Sequence, residues 1–187
     1  MSYRERTGTC DNMIVAITGT PGTGKTDLAK ELRSRGYEVL DLYEYVRNNG
    51  LLGEKDETRD TYCVDIDTLK KNLKIHRPSS LLIIEGHFSH DVECDTAIVL
   101  RCSPEILAAR LQERGYSADK VKENVQAEIL DVILCEACET DAQVCELDSS
   151  NVSSAVLADK VEDILEGNID KYRPGNIDWT EELEKWF

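Results

Sequence analysis

A chain of 187 residues with 41% hydrophobic residues and a formal charge of −15 has the length for one domain, burying roughly 70% of its unfolded surface. The charge excludes general binding to nucleic acid and to anionic membranes, both of which would repel the chain. No segment reads as a signal peptide or as the apolar run of about 20 residues that spans a membrane, so a soluble, cytoplasmic protein with room for a basic protein partner is expected.

Residues 1–12 are polar and without periodicity, which reads as a flexible N-terminal extension. Short apolar runs then recur at Ile14 to Thr18, Tyr37 to Leu40, Leu81 to Ile84, Ala97 to Leu100 and Gln143 to Leu147, as buried strands do. Between them lie helical patterns: Asp27 to Arg35, Thr68 to Ile75, Pro104 to Arg114 behind the start signal Ser103-Pro104, Ala118 to Cys138, and finally Ser153 to Glu166. Strands alternating with helices predict an α/β fold: a parallel five-stranded sheet in a three-layer arrangement. Residues 168–187 form a tail rich in late aromatics, Trp179, Trp186 and Phe187, which more often dock on their own domain than on a partner.

The seven cysteines are an odd number spread through apolar segments, as expected for reduced thiols packed mainly in the core. Cys135 and Cys138 have C-x-x-C spacing without a second pair, and His87, His90 and Cys94 match no structural zinc module, so neither group reads as a metal site.

The most informative segment is Gly19-Thr20-Pro21-Gly22-Thr23-Gly24-Lys25-Thr26, set between the first strand and first helix. A glycine-rich turn at that junction aims backbone N–H groups and a helix N-terminus at phosphate oxygens. Lys25 can reach the β- and γ-phosphates, and the Thr26 hydroxyl can coordinate Mg²⁺, so ATP binding through a P-loop is expected. Parallel sheets bind ligands at the carboxyl ends of their strands, which singles out Asp41, Glu85 to His87 and Arg101. Glu85 stands where a carboxylate can orient metal-bound water, the alternative being a solvated strand end. His87 can position water near the transferring phosphate, or is simply a polar loop histidine. Arg110 and Arg114 share one helix face ahead of Gly115; they suit either a phosphate clamp on a mobile lid or a solvated helix face. The polar stretch 41–67 is too long for a connector and suits an acceptor-binding arm, with Arg47 and Arg59 as anion contacts and Asp41 facing acceptor or metal.

Together these residues resemble the adenylate kinase isoenzyme six group, also called coilin-interacting nuclear ATPases, and especially its archaeal members. The likeness spans roughly residues 13–167 and rests on the P-loop, Glu85-Gly86-His87, the block Arg110-Leu111-Gln112-Glu113-Arg114-Gly115-Tyr116, and Asn124-x-Gln126-x-Glu128. The resemblance implies an adenylate-kinase-like P-loop NTPase with a nucleoside-monophosphate segment at 41–64 and a short lid at about 113–123. It implies ATP contacts from Gly22, Gly24, Lys25, Thr26, Asp27 and Arg114 and an AMP-phosphate contact from Arg47, beside which the residues' own positions put Asp41 at AMP and Thr26 and Glu85 at Mg²⁺. Lys25, Arg114, Glu85 and His87 would carry catalysis. It further implies ATPase activity and a role in small ribosomal subunit maturation through a platform ribosomal protein. Asp27 stands where many relatives carry a second threonine, so there only the backbone N–H is expected to serve. Another small-metabolite kinase, of the shikimate kinase type, remains an alternative because Asp41 could bind a hydroxyl substrate, although the Gly-Gly-Gly turn expected after the third strand is missing.

Overall fold

Aliphatic runs with no polar side to turn outward form a sheet covered on both faces. The computed structural model describes residues 13–56, 61–73 and 80–187. Its main sheet contains β1 (Ile14–Thr18) and β2 (Glu38–Asp41). Next in the chain come β3 (Leu52–Asp56) and β4 (Thr61–Val64), a separate antiparallel hairpin, before β5 (Leu82–Glu85), β6 (Thr96–Arg101) and β7 (Gln143–Asp148) complete the sheet. The order is β2-β5-β1-β6-β7, and every neighbouring pair is parallel. This is a P-loop α/β fold with a five-stranded parallel sheet.

The helices are α1 (Lys25–Ser34), α2 (Leu42–Asn48), α3 (Ile66–Asn72), α4 (Pro104–Glu113), α5 (Ala118–Ile129), α6 (Val132–Cys138), α7 (Ser154–Leu165) and α8 (Leu183–Trp186). Alternation along each strand sorts the core into two layers. Val15, Ile17, Ile83, Ile98, Leu100 and Leu147 pack on Leu28 and Leu32 of α1 and on Leu157, Val161 and Ile164 of α7. On the opposite face, Ile84 meets Leu42, Val46 and Leu69 of α2 and α3, and Ala16, Ala97 and Val99 meet Leu134 and Ala137 of α6. Burying each Leu or Ile contributes roughly 1.5–3 kcal/mol, so the sheet centre is a rigid platform from which the loops at its carboxyl edge project.

Three differences from the sequence reading have local causes. The helix expected over 118–138 is two helices, because Asp131 adopts a left-handed conformation (φ 56°) between α5 and α6. Aspartate tolerates that geometry better than most residues, and its carboxylate is held there by the Arg101 guanidinium. The stretch 41–67 holds α2 and the β3–β4 hairpin; Asp41 caps α2 by accepting the Glu44 N–H at 2.9 Å. Cys135 and Cys138 are exposed on α6 rather than packed inside, whereas Cys102 and Cys145 are buried. The extension 1–12 with Cys10, the candidate Arg59, and Ile75 at the end of the expected second helix lie outside the described residues.

The tail runs back over the domain. Ile169 and Tyr172 pack against the α1/α7 layer, and Trp179, Leu183 and Trp186 lie against Leu107, Leu111, Val121 and Val125 of α4 and α5.

Candidate phosphate-binding and phosphoryl-transfer site

The turn after β1 is shaped by glycines that no other residue could replace without distortion. Gly19 has φ +135°, and a Cβ there would lie 2.4 Å from the Leu100 carbonyl oxygen; Gly22, at φ +97°, would meet Leu107 Cδ1 at 2.8 Å. Gly24 occupies the N-cap of α1 in the left-handed region and no side chain caps the helix, so the N-terminal N–H groups stay available to an anion. Lys25 folds back across this turn, its ammonium donating to the carbonyls of Gly19 (2.6 Å) and Thr20 (3.0 Å). Burial pushes the Lys25 pKa down to about 8; the Glu85 and Glu128 charges oppose that shift, and Arg114 adds to it.

Beside the lysine, the Thr26 hydroxyl donates to Glu85 Oε1 at 3.2 Å. Glu85 ends β5, level with Asp41 on β2. Its carboxyl is raised above the usual range, first by burial and then by the Asp41 charge, with Lys25 and the Thr26 hydrogen bond pulling the other way. A hydroxyl and a carboxylate side by side, with a second carboxylate one strand away, form an all-oxygen donor set of the kind that suits Mg²⁺. His87 follows on the exposed rim, edge-on to Phe88 with ring centroids 4.7 Å apart. Surrounding protein, then the charges of Lys25 and His90, lower its pKa to about 4. The imidazole is therefore neutral at pH 7 and can accept a hydrogen bond.

An open cleft of about 770 Å³ extends from the turn, lined by Gly22, Gly24, Asp27, Arg110, Arg114 and Ser149 among others. Asp27 turns its carboxylate to Lys30 at 3.0 Å on the exposed face. The α4–α5 connection is only Arg114 to Ser117, with the Lys120 ammonium 4.9 Å from the Tyr116 ring centre. The two arginines differ. Arg110 is spent within the protein, donating to the carbonyls of Gly22 (3.4 Å), Ser149 (3.0 Å) and Ser150 (3.1 Å), which pins the turn to the loop after β7. Arg114 is exposed at the cleft and has no hydrogen-bond or ion-pair partner for its side chain among the described residues. Arg47, on α2, is also exposed, with the Glu44 carboxylate 3.9 Å from its guanidinium.

One group of residues had no assigned role in the sequence reading. Glu128 of α5 is 2% exposed; it accepts from the Thr20 hydroxyl (2.5 Å), the Arg101 Nε–H (2.8 Å) and the Cys102 N–H (3.0 Å). Arg101 also donates to the Glu128 carbonyl (3.1 Å), to Asp131 and to Glu146 (3.5 Å). The signals were a lone arginine closing an apolar strand and the glutamate of the Asn124-x-Gln126-x-Glu128 block.

Residues 15–131 match the family model described as an AAA domain. The chain is 44% identical over 171 residues to a protein of Methanocaldococcus jannaschii named "Putative adenylate kinase", covering 90% of this chain and 94% of that one. A protein of the same name from Archaeoglobus fulgidus is 41% identical over 175 residues, covering 92% and 94%. The chain belongs to the adenylate kinase-like family of P-loop proteins. Among solved structures, shikimate kinase from Acinetobacter baumannii in complex with shikimate superposes with a TM-score of 0.57 at 16% identity, covering 83% of this chain and 94% of that one. Deoxyadenosine kinase from M. mycoides gives a TM-score of 0.55 at 16% identity, with 83% and 100% covered. At that identity the likeness shows the shared P-loop kinase fold. This adenylate kinase-like chain is a phosphotransferase that binds nucleotide through its P-loop.

Proposed function

We propose that the protein is a Mg²⁺-dependent nucleoside monophosphate kinase of the adenylate kinase isoenzyme six type, transferring the γ-phosphoryl of ATP to AMP, and that it hydrolyses ATP slowly when no acceptor is bound. The observation that carries this reading is that Lys25 lies across the phosphate turn within reach of the Glu85 and Arg114 charges, with Thr26 bonded to Glu85 beside it and Arg114 lining the cleft that extends from the turn. Phosphoryl transfer needs positioning and charge stabilisation more than covalent chemistry, and this set offers both.

The N-terminal turn of α1, through the N–H groups around Gly22, Gly24, Lys25, Thr26 and Asp27, would hold the ATP phosphates. Thr26 and Glu85 would hold Mg²⁺, which supplies charge neutralisation between the phosphates. Lys25 would leave the Gly19 and Thr20 carbonyls for phosphate oxygens, exchanging neutral acceptors for charged ones. Arg114, exposed on the short α4–α5 connection, would complete the positive surround when ATP fills the cleft. Arg47, on the arm after β2, would hold the AMP phosphate, with Asp41 beside it. Neutral His87 would accept a hydrogen bond from an attacking water in the absence of acceptor.

The test is direct: purified protein with Mg-ATP, with and without AMP, and chromatography of the products. Two ADP formed per ATP consumed, dependent on AMP, establishes the kinase; one ADP and phosphate without any AMP dependence overturns it in favour of an ATPase. A second reading draws on the charge of −15, which suits a basic protein partner: a cytoplasmic assembly ATPase acting on a small-subunit ribosomal protein. ATP-dependent capture of that protein, together with AMP-independent turnover, is the outcome that would favour it.

A further inference from the structure

Thr20 is a junction in the phosphate-binding turn. Its carbonyl accepts from the Lys25 ammonium (3.0 Å), the Thr23 N–H (3.2 Å) and the Thr23 hydroxyl (2.9 Å), while its own hydroxyl donates outward to Glu128 on α5 at 2.5 Å. Both side chains are 2% exposed. Glu128 in turn has no freedom to turn away, because its other carboxylate oxygen is shared by Arg101 and the Cys102 N–H. Arg101 ends β6, the strand beside β1, so the carboxylate is fixed from the sheet and reaches across to the turn. The next residue pair along this chain of contacts is Arg101 with Glu146, whose far oxygen accepts the N–H groups of Asn176 (2.5 Å) and Ile177 (3.0 Å) in the tail.

We infer that Glu128 is a positioning residue for phosphoryl transfer: its buried carboxylate, oriented by Arg101, holds the Thr20 hydroxyl and thereby sets the backbone on which Lys25 and the phosphate-facing N–H groups are aligned. The inference rests on the reading of that turn as the ATP phosphate site. A charged acceptor buried beside the loop is costly unless it is fully bonded, and here three donors meet it. The hydrogen bond to Thr20 joins residues 108 positions apart, tying the helix after the lid connection to the phosphate turn. Misplacing catalytic groups by fractions of an ångström is expensive in rate, so loss of this tether falls on turnover while the sheet remains intact.

The experiment uses the full chain with Thr20→Val, which matches the threonine shape, removes the hydroxyl and leaves Glu128 bonded to Arg101 and Cys102. Thr20→Ser restores the hydroxyl, and Glu128→Gln tests the other partner. Thr20→Val is expected to lower kcat/KM for ATP about tenfold, as loss of a hydrogen bond to a charged group does, with the thermal midpoint within a few degrees of wild type. Thr20→Ser is expected to recover most of that loss, and adding Glu128→Gln to Thr20→Val to cost much less than the two single losses combined. Wild-type kinetics in Thr20→Val, failure of Thr20→Ser to recover, or additive losses in the double variant would each overturn the inference. Should Glu128→Gln fail to fold, the Thr20 series alone decides. A wild-type chain that binds Mg-ATP yet does not phosphorylate AMP overturns the acceptor assignment only; the same variants are then compared by ATP dissociation constant, where the same tenfold weakening and serine rescue are expected and their absence overturns the inference.

Discussion

Glu85 lies level with Asp41 across the β2–β5 pairing, and burial, then the charge of this neighbour, raises the Glu85 carboxyl above its ordinary range. A group whose folded pKa is raised stabilises the fold below the unfolded pKa, and that contribution is lost as pH rises through the folded value. At neutral pH the ionised Glu85 is therefore a cost to the ligand-free protein. Glu85→Gln is expected to raise the thermal midpoint measured without nucleotide at pH 7, by a margin that shrinks toward pH 4. The same substitution is expected to lower Mg-ATP turnover about 10–100-fold, as changes beside a metal do. A lower midpoint at pH 7 would show that Glu85 is a structural anchor instead.

Lys25 has the opposite relation to its ligand. Its pKa of about 8 belongs to a turn without phosphate; ATP favours the protonated amine and so raises that value on binding. Affinity is then greatest below pH 8 and falls as pH rises above it, by up to about tenfold per unit until the pKa of the complex is reached. Calorimetric titration at pH 7 and pH 9 checks this, with proton uptake near pH 8 as the accompanying signal. In Lys25→Met the pH dependence should flatten and turnover should be lost; turnover retained in that variant would remove Lys25 from the site.

Arg47 sits on α2 with Glu44 3.9 Å from its guanidinium as its one ion-pair partner among the described residues, both side chains being more than half exposed. Such a contact is worth little, which leaves the guanidinium available to an acceptor phosphate. Arg47→Ala is expected to raise KM for AMP about tenfold or more, with stability and acceptor-free ATP hydrolysis close to wild type. Unchanged KM for AMP would place the acceptor elsewhere on the arm.

What could be read from the chain depended on how far apart the cooperating residues lie. The phosphate turn is eight consecutive residues whose glycines and lysine act locally, so pattern and chemistry coincide. Glu85 was legible because an apolar run ends in it and ligands gather at strand ends. The Thr20–Glu128 contact, by contrast, joins residues 108 positions apart; the short α5 motif marked Glu128 without saying what it touches. The α2 helix was hidden because its seven residues, Leu42–Asn48, are too few to show a helical period inside the polar stretch 41–67. The break at Asp131 was hidden because the apolar spacing of α5 continues into α6, and only the pairing with Arg101, invisible in one dimension, explains it. Arg110 and Arg114 share a helix face in the sequence, yet folding gives one to backbone carbonyls and leaves the other at the cleft.

The tail offers a test with its own spectroscopic signal. The chain has two tryptophans, and both Trp179 and Trp186 lie in the tail against α4 and α5. The tail is further held by Gln126 donating to the Trp186 carbonyl at 2.8 Å and by Lys185 paired with Glu105. Against this, the buried indole N–H groups of both tryptophans have no acceptor among the described residues, a cost of roughly 1–3 kcal/mol for each. The surface ion pair offsets little of that, so the tail should release before the sheet does. On heating, tryptophan emission is expected to shift to the red at a lower temperature than the loss of helical circular dichroism. Leu183→Asp, which places a charge against the apolar cluster of α4 and α5, should bring the red-shifted emission to 25 °C while keeping most of the helical signal. Coincident transitions in the wild-type protein would instead make the tail part of the main cooperative unit, and Leu183→Asp should then lower the single midpoint by the equivalent of about 1–3 kcal/mol.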